Sequence, residues 1–352
     1  MVKPKSRLSA FWLTLACLLL AILAAYLLLH GKRGIGYSVI GAIVIVVEWF
    51  RLRQTVSAWT LLPAAFLVAF YASRVHLLAE AAPIRQSSTF DIYALYVDGS
   101  FGFQPSIWVH HLIAKAAVAE GFFQAVYEAL PVAIAAAYAL NLASGRRWKV
   151  FAMMVLVAVI GVQCYRLLPI CGPAYLPFGN ECFYYHGSCS LSSFFSGVPY
   201  MISIDDEWSR NGMPSLHMAW ALLAWWACRN RPRLRWIILA FALLTAIATL
   251  AYGEHYLTDL AAACPFSVAI WFLCMEDRPF SEPARIFPII GGALGYLAWI
   301  WTIRFAPQVF HVSIALPWLA LLASVSCILV VTNLGRQQAR ATAKADCAAM
   351  SR

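Results

Sequence analysis

The sequence predicts an all-α fold: a polytopic bundle of about ten transmembrane helices. Three observations carry this. The 352 residues are 62% hydrophobic and only 12% charged, against roughly 25% charged in soluble domains. Mean hydropathy is +0.72. Uncharged apolar runs long enough to cross a bilayer, about 20 residues each, recur along the chain and are separated by short basic turns. The formal charge of +10 does not point to nucleic acid. Its Lys and Arg residues gather in the connections, as cytoplasmic loops require, and no basic stripe meets a recognition motif.

The elements follow in order. Residues 8–29 run without a charge behind Lys3, Lys5 and Arg7. The run is too long for a signal peptide and lacks a convincing small-residue cleavage site, so a retained helix is expected. Spans at 35–50 and 56–72 follow the basic turns at Lys32-Arg33 and Arg51–Arg53. These first three helices carry almost no polar groups and read as structural.

From 73 to about 117 the chain is mixed. Asp91 and Asp98 lie seven residues apart among aromatics, before Gly99, Gly102 and Pro105. An interfacial amphipathic segment fits this pattern. The preferred reading of its acids is a solvated helix face; the alternative has Asp91, Asp98, His110, His111 and Lys115 lining a site. A span at 118–143 carries Glu120 and Glu128, and an intramembrane carboxylate is costly enough that Glu128 should face the interior.

After the basic turn at Arg146, Arg147 and Lys149 comes a span at 150–168, closed by a proline- and glycine-rich corner running from Pro169 to Tyr175. A long loop to Asn211 leads to spans at 214–228, 236–252 and 256–275, then to two more at 286–303 and 312–332. Alternating these from a cytoplasmic N-terminus puts most basic turns and the C-terminal tail inside. It puts the 169–211 loop and two histidine segments together on the outer face. Lys32 and Arg33 dissent by falling outside.

Of the ten cysteines, six lie in apolar runs and read as small core residues. Cys171, Cys182 and Cys189 share the outer loop, where an oxidising compartment permits a disulfide. Cys182 with Cys189 is the expected pair, and the odd third cysteine leaves the pairing open. Zinc is disfavoured, because no CxxC or HxxxH spacing accompanies these residues.

Two segments carry the chemistry. In Pro214-Ser215-Leu216-His217, Ser is a good N-cap and Pro suits a first turn. The helix start there offers free N–H groups and a positive dipole end to an anion, and His217 in that turn can act as acid and base. In His255-Tyr256-Leu257-Thr258-Asp259, a four-residue separation puts histidine and carboxylate on one helix face. The carboxylate can fix the ring tautomer and leave the other nitrogen nucleophilic. A plain His–Asp staple is the structural alternative for the second segment, and a satisfied core histidine for the first. Their joint occurrence on one predicted face favours catalysis.

These motifs resemble the type 2 phosphatidic acid phosphatase superfamily of membrane lipid phosphatases and phosphotransferases. Pro-Ser-Leu-His in place of Pro-Ser-Gly-His and His255-Tyr256-x-x-Asp259 are similar to the inositol phosphorylceramide synthase branch. So are the Pro169-x-x-Gly172-Pro173-x-Tyr175 and Asp91…Asp98…Gly102-Phe103-x-Pro105 segments. The resemblance covers roughly residues 90–275. It implies a six-helix phosphatase-type catalytic core within a domain at 76–280, flanked by membrane helices at 1–75 and 281–333 and a polar cytoplasmic tail at 334–352. It implies His255 as nucleophile oriented by Asp259, His217 as acid and then base, and Ser215 with neighbouring N–H groups holding phosphate. Arg166 and Arg210 are the candidate phosphate cations, with Asp91, Asp98, Tyr175 and Tyr256 as weaker candidates for lining the substrate site.

Two departures matter. Arg166 stands three residues before Pro169, and Ala248-Thr249 replaces the Ser-Arg usual upstream of the nucleophile. The expected activity is therefore transfer of a phosphoryl or phospho-headgroup unit from a phospholipid donor to a lipid alcohol, without a cofactor or metal. Hydrolysis of a lipid phosphate or polyprenyl diphosphate is the alternative. A proton-coupled lipid transporter using His255–Asp259 as a relay is the third.

Overall fold

The computed structural model describes residues 5–70, 88–176, 198–204 and 210–350. It is a helix bundle in which the helix following His255 forms the axis. In chain order the helices are α1 (Lys5–Leu29), α2 (Arg33–Leu52), α3 (Ala58–Phe70), α4 (Asp91–Gly99), α5 (Pro105–Ile113), α6 (Ala117–Glu128) and α7 (Leu130–Ala139). They continue as α8 (Arg147–Leu167), α9 (Leu216–Ala227), α10 (Leu234–Ala251), α11 (Leu257–Cys274), α12 (Pro283–Phe305) and α13 (Ala315–Met350). Two short strands, β1 (Ser88–Thr89) and β2 (Ile202–Ser203), pair antiparallel.

Six of these helices are long and apolar enough to cross a membrane, or seven if the bent α6–α7 pair counts as one span. The chain is a multi-pass membrane protein. Segments 17–29, 58–70 and 216–227 are apolar but shorter. At 12 residues, α9 covers only ~18 Å, less than the roughly 30 Å of hydrocarbon. It is therefore too short to cross the hydrocarbon by itself.

Burial separates axis from periphery. In α11, 78% of the apolar window is buried, against 17% in 315–333 of α13. A helix apolar on all sides belongs in a core, and α11 packs on α8, α9, α12 and α13. Pro265 interrupts its hydrogen-bond ladder, and α12 crosses there at close range. A Cβ on Gly292 would meet the Pro265 carbonyl oxygen at 2.5 Å, so only glycine fits the crossing.

The expected single span at 118–143 is broken. The α6 and α7 axes differ by 44°, because Pro131 can start a helix but cannot donate a ladder hydrogen bond within one. The break leaves Tyr127 and Glu128 half-buried at the end of α6.

The two ends of the bundle differ in chemistry. Asp277, just past α11, pairs with Arg146 and Lys149. Arg285 donates to the carbonyls of Phe272 and Leu273 at the α11 C-terminus. Arg229 stands over the Trp271 ring. The basic turns thus gather at the end of α11 opposite His255.

Candidate active site

The site is assembled where three loops meet at the N-terminus of α11. Helix α10 ends at Ala251 with Tyr252 as its C-cap, and Gly253 turns the chain with φ +62. Asp259 Oδ2 accepts from the Tyr256 backbone N–H at 2.9 Å, which caps α11 and starts it at Leu257. His255 therefore lies just before the helix, not on its face as the four-residue spacing suggested. The ring is nonetheless close to the acid: His255 Nδ1 is 3.4 Å from Asp259 Oδ2. Both residues are buried, at 3% and 0% exposure, and neither His255 Nδ1 nor Asp259 Oδ1 has a hydrogen bond. With Nδ1 turned to the carboxylate, Nε2 is the nitrogen left for chemistry.

The second histidine comes from α9. Ser215 is its N-cap, and Ser215 Oγ accepts from the Met218 N–H at 3.4 Å. The Ser215 N–H donates to the Asp259 carbonyl at 3.3 Å, tying the two motif-bearing helices together. Upstream, Gly212 N–H donates to the Ile170 carbonyl and the Tyr296 hydroxyl to that of Met213. His217 is half-buried, with its ring centroid 6.4 Å from that of His255. On its other side it stacks on Tyr127 at 4.2 Å and 19°.

The acids of α4 correct the preferred sequence reading. Asp91 and Asp98 are both 0% exposed and bind backbone amides, so their helix face is not solvated. Asp91 accepts from the N–H groups of Cys171 and Gly172 and from the Tyr256 hydroxyl, at 2.9–3.2 Å. Asp98 accepts from Leu257 N–H at 2.7 Å and Thr258 N–H at 3.1 Å. Seven residues put both acids on one side of α4: one grips the Pro169–Tyr175 corner and the other the first turn of α11. Burial pushes the Asp91 carboxyl up to about 6, against the hydrogen bonds it accepts. Burial also pushes Asp98 up to about 7, with the nearby Asp259 charge adding and the two amides opposing.

The corner itself presses on the His255 loop. Gly172 has φ +134, and a Cβ there would meet the Gly253 and Glu254 carbonyl oxygens at 2.6 Å. Ala174 N–H donates to the Gly253 carbonyl, and the Tyr175 hydroxyl to Glu254 Oε1 at 2.6 Å. Tyr256, fully buried, reaches Asp91. Tyr175 and Tyr256 thus brace the loop from either side.

The two candidate cations differ. Arg210 is buried and donates to the Ile204 carbonyl at 2.8 Å, in the same neighbourhood as Cys171 and Asp91. Arg166 is exposed on α8 and donates to Gln163 on its own helix. Cys182 and Cys189 lie outside the described residues; Cys171 is a buried free thiol, held up by burial and the Asp91 charge. Among the described residues no group of three or more His, Cys, Asp or Glu has the geometry of a metal site.

Two contributors carried no sequence signal: Tyr127, one aromatic in an apolar span, and Ser106, whose hydroxyl donates to the His255 carbonyl at 2.8 Å. His110, which the sequence singled out only as a possible site-lining residue, binds the Ala251 carbonyl through Nδ1 at 2.7 Å.

Two imidazoles with ring centroids 6.4 Å apart, one backed by a carboxylate and both at helix starts, can divide the work of group transfer, one carrying a phosphoryl group and the other moving a proton. No curated protein and no solved structure matches the chain. A family described as the PAP2 superfamily matches residues 93–273, just over half of the chain, from within α4 to nearly the end of α11. The chain belongs to the PAP2 superfamily, and its membership points to phosphatase or phosphotransferase chemistry on lipids.

Proposed function

We propose that the protein transfers a phosphoryl or phospho-headgroup unit between membrane lipids through a phosphohistidine at His255. The observation that carries this is the His217–His255–Asp259 geometry: ring centroids 6.4 Å apart, with a carboxylate oxygen 3.4 Å from the second ring. His255 Nε2 attacks phosphorus as the P–O bond to the leaving group breaks. Imidazolium His217 gives its proton to the departing alkoxide. The acceptor hydroxyl then attacks phosphorus and the P–N bond breaks, while His217 takes the acceptor's proton. Asp259 supports the positive charge that develops on the His255 ring.

The burial of His255, at 3% exposure, favours a lipid acceptor over water, since a dry site protects a reactive intermediate from hydrolysis. The resemblance to inositol phosphorylceramide synthases makes the donor a glycerophospholipid such as phosphatidylinositol and the acceptor a lipid alcohol such as ceramide. The basic turns gather at the end of α11 away from His255, which supports a site on the outer, periplasmic or lumenal face with both termini cytoplasmic.

The test is phosphoenzyme trapping with labelled lipid phosphate, followed by product analysis with and without a lipid alcohol. The expected result is an acid-labile, base-stable adduct lost in His255→Ala, and labelled lipid product that depends on acceptor. Free phosphate released at the same rate without acceptor would turn the reading to hydrolysis. No adduct from any candidate donor would sink the covalent route.

A further inference from the structure

We propose that Asp98, Ser106 and His110, all on the α4–α5 arm, are positioning residues for the nucleophile. This rests on reading His255 as that nucleophile. The arm is one unit: Gly102 turns the chain between its helices at φ +91, and the Gln104 side chain donates back to the Leu95 carbonyl at 2.9 Å.

From it, contacts reach residues on both sides of His255. His110 binds Ala251, Ser106 binds His255 itself, and Asp98 binds Leu257 and Thr258. The partners are 141 to 160 residues apart in sequence, so no local helix geometry produces them. Each of these four hydrogen bonds is to a backbone group. They therefore fix the path of the 251–258 chain whatever the side chains do.

The ring needs that help. Its approach to Asp259 is 3.4 Å, with Nδ1 making no hydrogen bond, so the carboxylate by itself holds the imidazole only loosely before substrate arrives. The backbone that carries it does the aiming. Asp98 has a second consequence. It already occupies the first N–H groups of α11, the natural anion seat of that helix start. Phosphate is thereby left to the α9 side, where His217 stands.

The experiment uses the full-length protein in lipid nanodiscs, with labelled lipid phosphate and rapid quenching, on Asp98→Asn, Ser106→Ala and His110→Gln. Positioning errors near 1 Å cost about a hundredfold in rate. The burst rate constant should fall about tenfold to a hundredfold in Asp98→Asn and about threefold to tenfold in the other two. Burst amplitude and KM should stay near wild type. A loss of amplitude at an unchanged rate constant would mean a folding role only and overturn the inference, as would unchanged rate constants throughout. If Asp98→Asn does not fold, the two milder variants decide. Wild-type turnover without a His255 adduct refutes the nucleophile reading and the inference together; a normal wild-type burst with unaffected variants refutes the inference alone.

Discussion

Replacing Asp259 with Asn separates charge from shape at the centre of the site. Asp259 is fully buried, accepts from Tyr256 N–H at 2.9 Å and stands 3.4 Å from His255 Nδ1. Asparagine keeps the volume and, through its carbonyl oxygen, the Tyr256 contact that starts α11. It removes the negative charge that, on the proposed route, supports His255 once the ring becomes a phosphoimidazolium. The 3.4 Å approach tightens to a hydrogen bond once the ring is charged; a hydrogen bond to a charged group is worth about 1.5–3 kcal/mol, which converts to about a 10- to 150-fold slower phosphorylation step. The loss rises toward ~10⁴ if the amide also reverses the imidazole tautomer. Melting temperature should change little, because the substitution removes a buried charge beside Asp98 and leaves the cap intact. Asp259→Ala differs: it loses the cap as well, at about 1 kcal/mol. The assay is rapid-quench measurement of the labelled phosphoenzyme beside thermal unfolding in the same nanodiscs. Phosphorylation of Asp259→Asn within threefold of wild type, with normal stability, would refute a charge-supporting role for Asp259.

His217→Gln should slow turnover of natural lipid substrates by about 10²- to 10⁴-fold; with a nitrophenyl phosphate ester, whose leaving group needs no proton, adduct formation should be nearly normal. Tyr127→Ala should slow turnover about two- to tenfold, because it removes the ring stacked on His217 at 4.2 Å; steady-state kinetics report it, and Tyr127→Phe should keep the wild-type rate. Gly172→Ala, forced against carbonyl oxygens at 2.6 Å with φ +134, should cost on the order of 2 kcal/mol and displace the His255 loop, read as joint loss of stability and activity. The raised carboxyls of Asp91 and Asp98, at about 6 and about 7, lie above their unfolded value of 3.8. The fold therefore holds their protons more tightly than the unfolded chain does. The stability they lend is full below pH 3.8 and is lost as pH climbs through those values. Unfolding temperatures across this window should fall less steeply in Asp98→Asn than in wild type.

The boundary between what could and could not be read from the residues follows the range of each contact. The spans were legible because apolar length is a local property, and so were the histidine motifs, whose caps and carboxylate lie within a few positions. The break between α6 and α7 was missed because Pro131 begins a helix as comfortably as it interrupts one. The expected span at 214–228 is short because Arg229 and Asn230 follow Cys228 directly, while Pro214 and Ser215 lie ahead of the first helical residue. Asp91 and Asp98 were misread for a different reason. On a nine-residue helix, two acids seven apart look the same whether water or buried amides receive them. Their partners are N–H groups of Cys171, Gly172, Leu257 and Thr258, and a backbone amide has no side-chain signature. The same blindness hid Ser106, which binds a carbonyl, and Tyr127, which offers only a ring face. The groups proposed to react in this site were thus written locally, and those proposed to aim them were written across 80 to 160 residues through backbone groups that any residue carries. A buried carboxylate spent on amides at the start of α11 is the observation that supports the proposed aiming role. Its charge is expensive to bury and an N-cap serine would serve α11 more cheaply. What Asp98 adds over such a cap is reach: it anchors that helix start to an arm that also holds the backbone of His255.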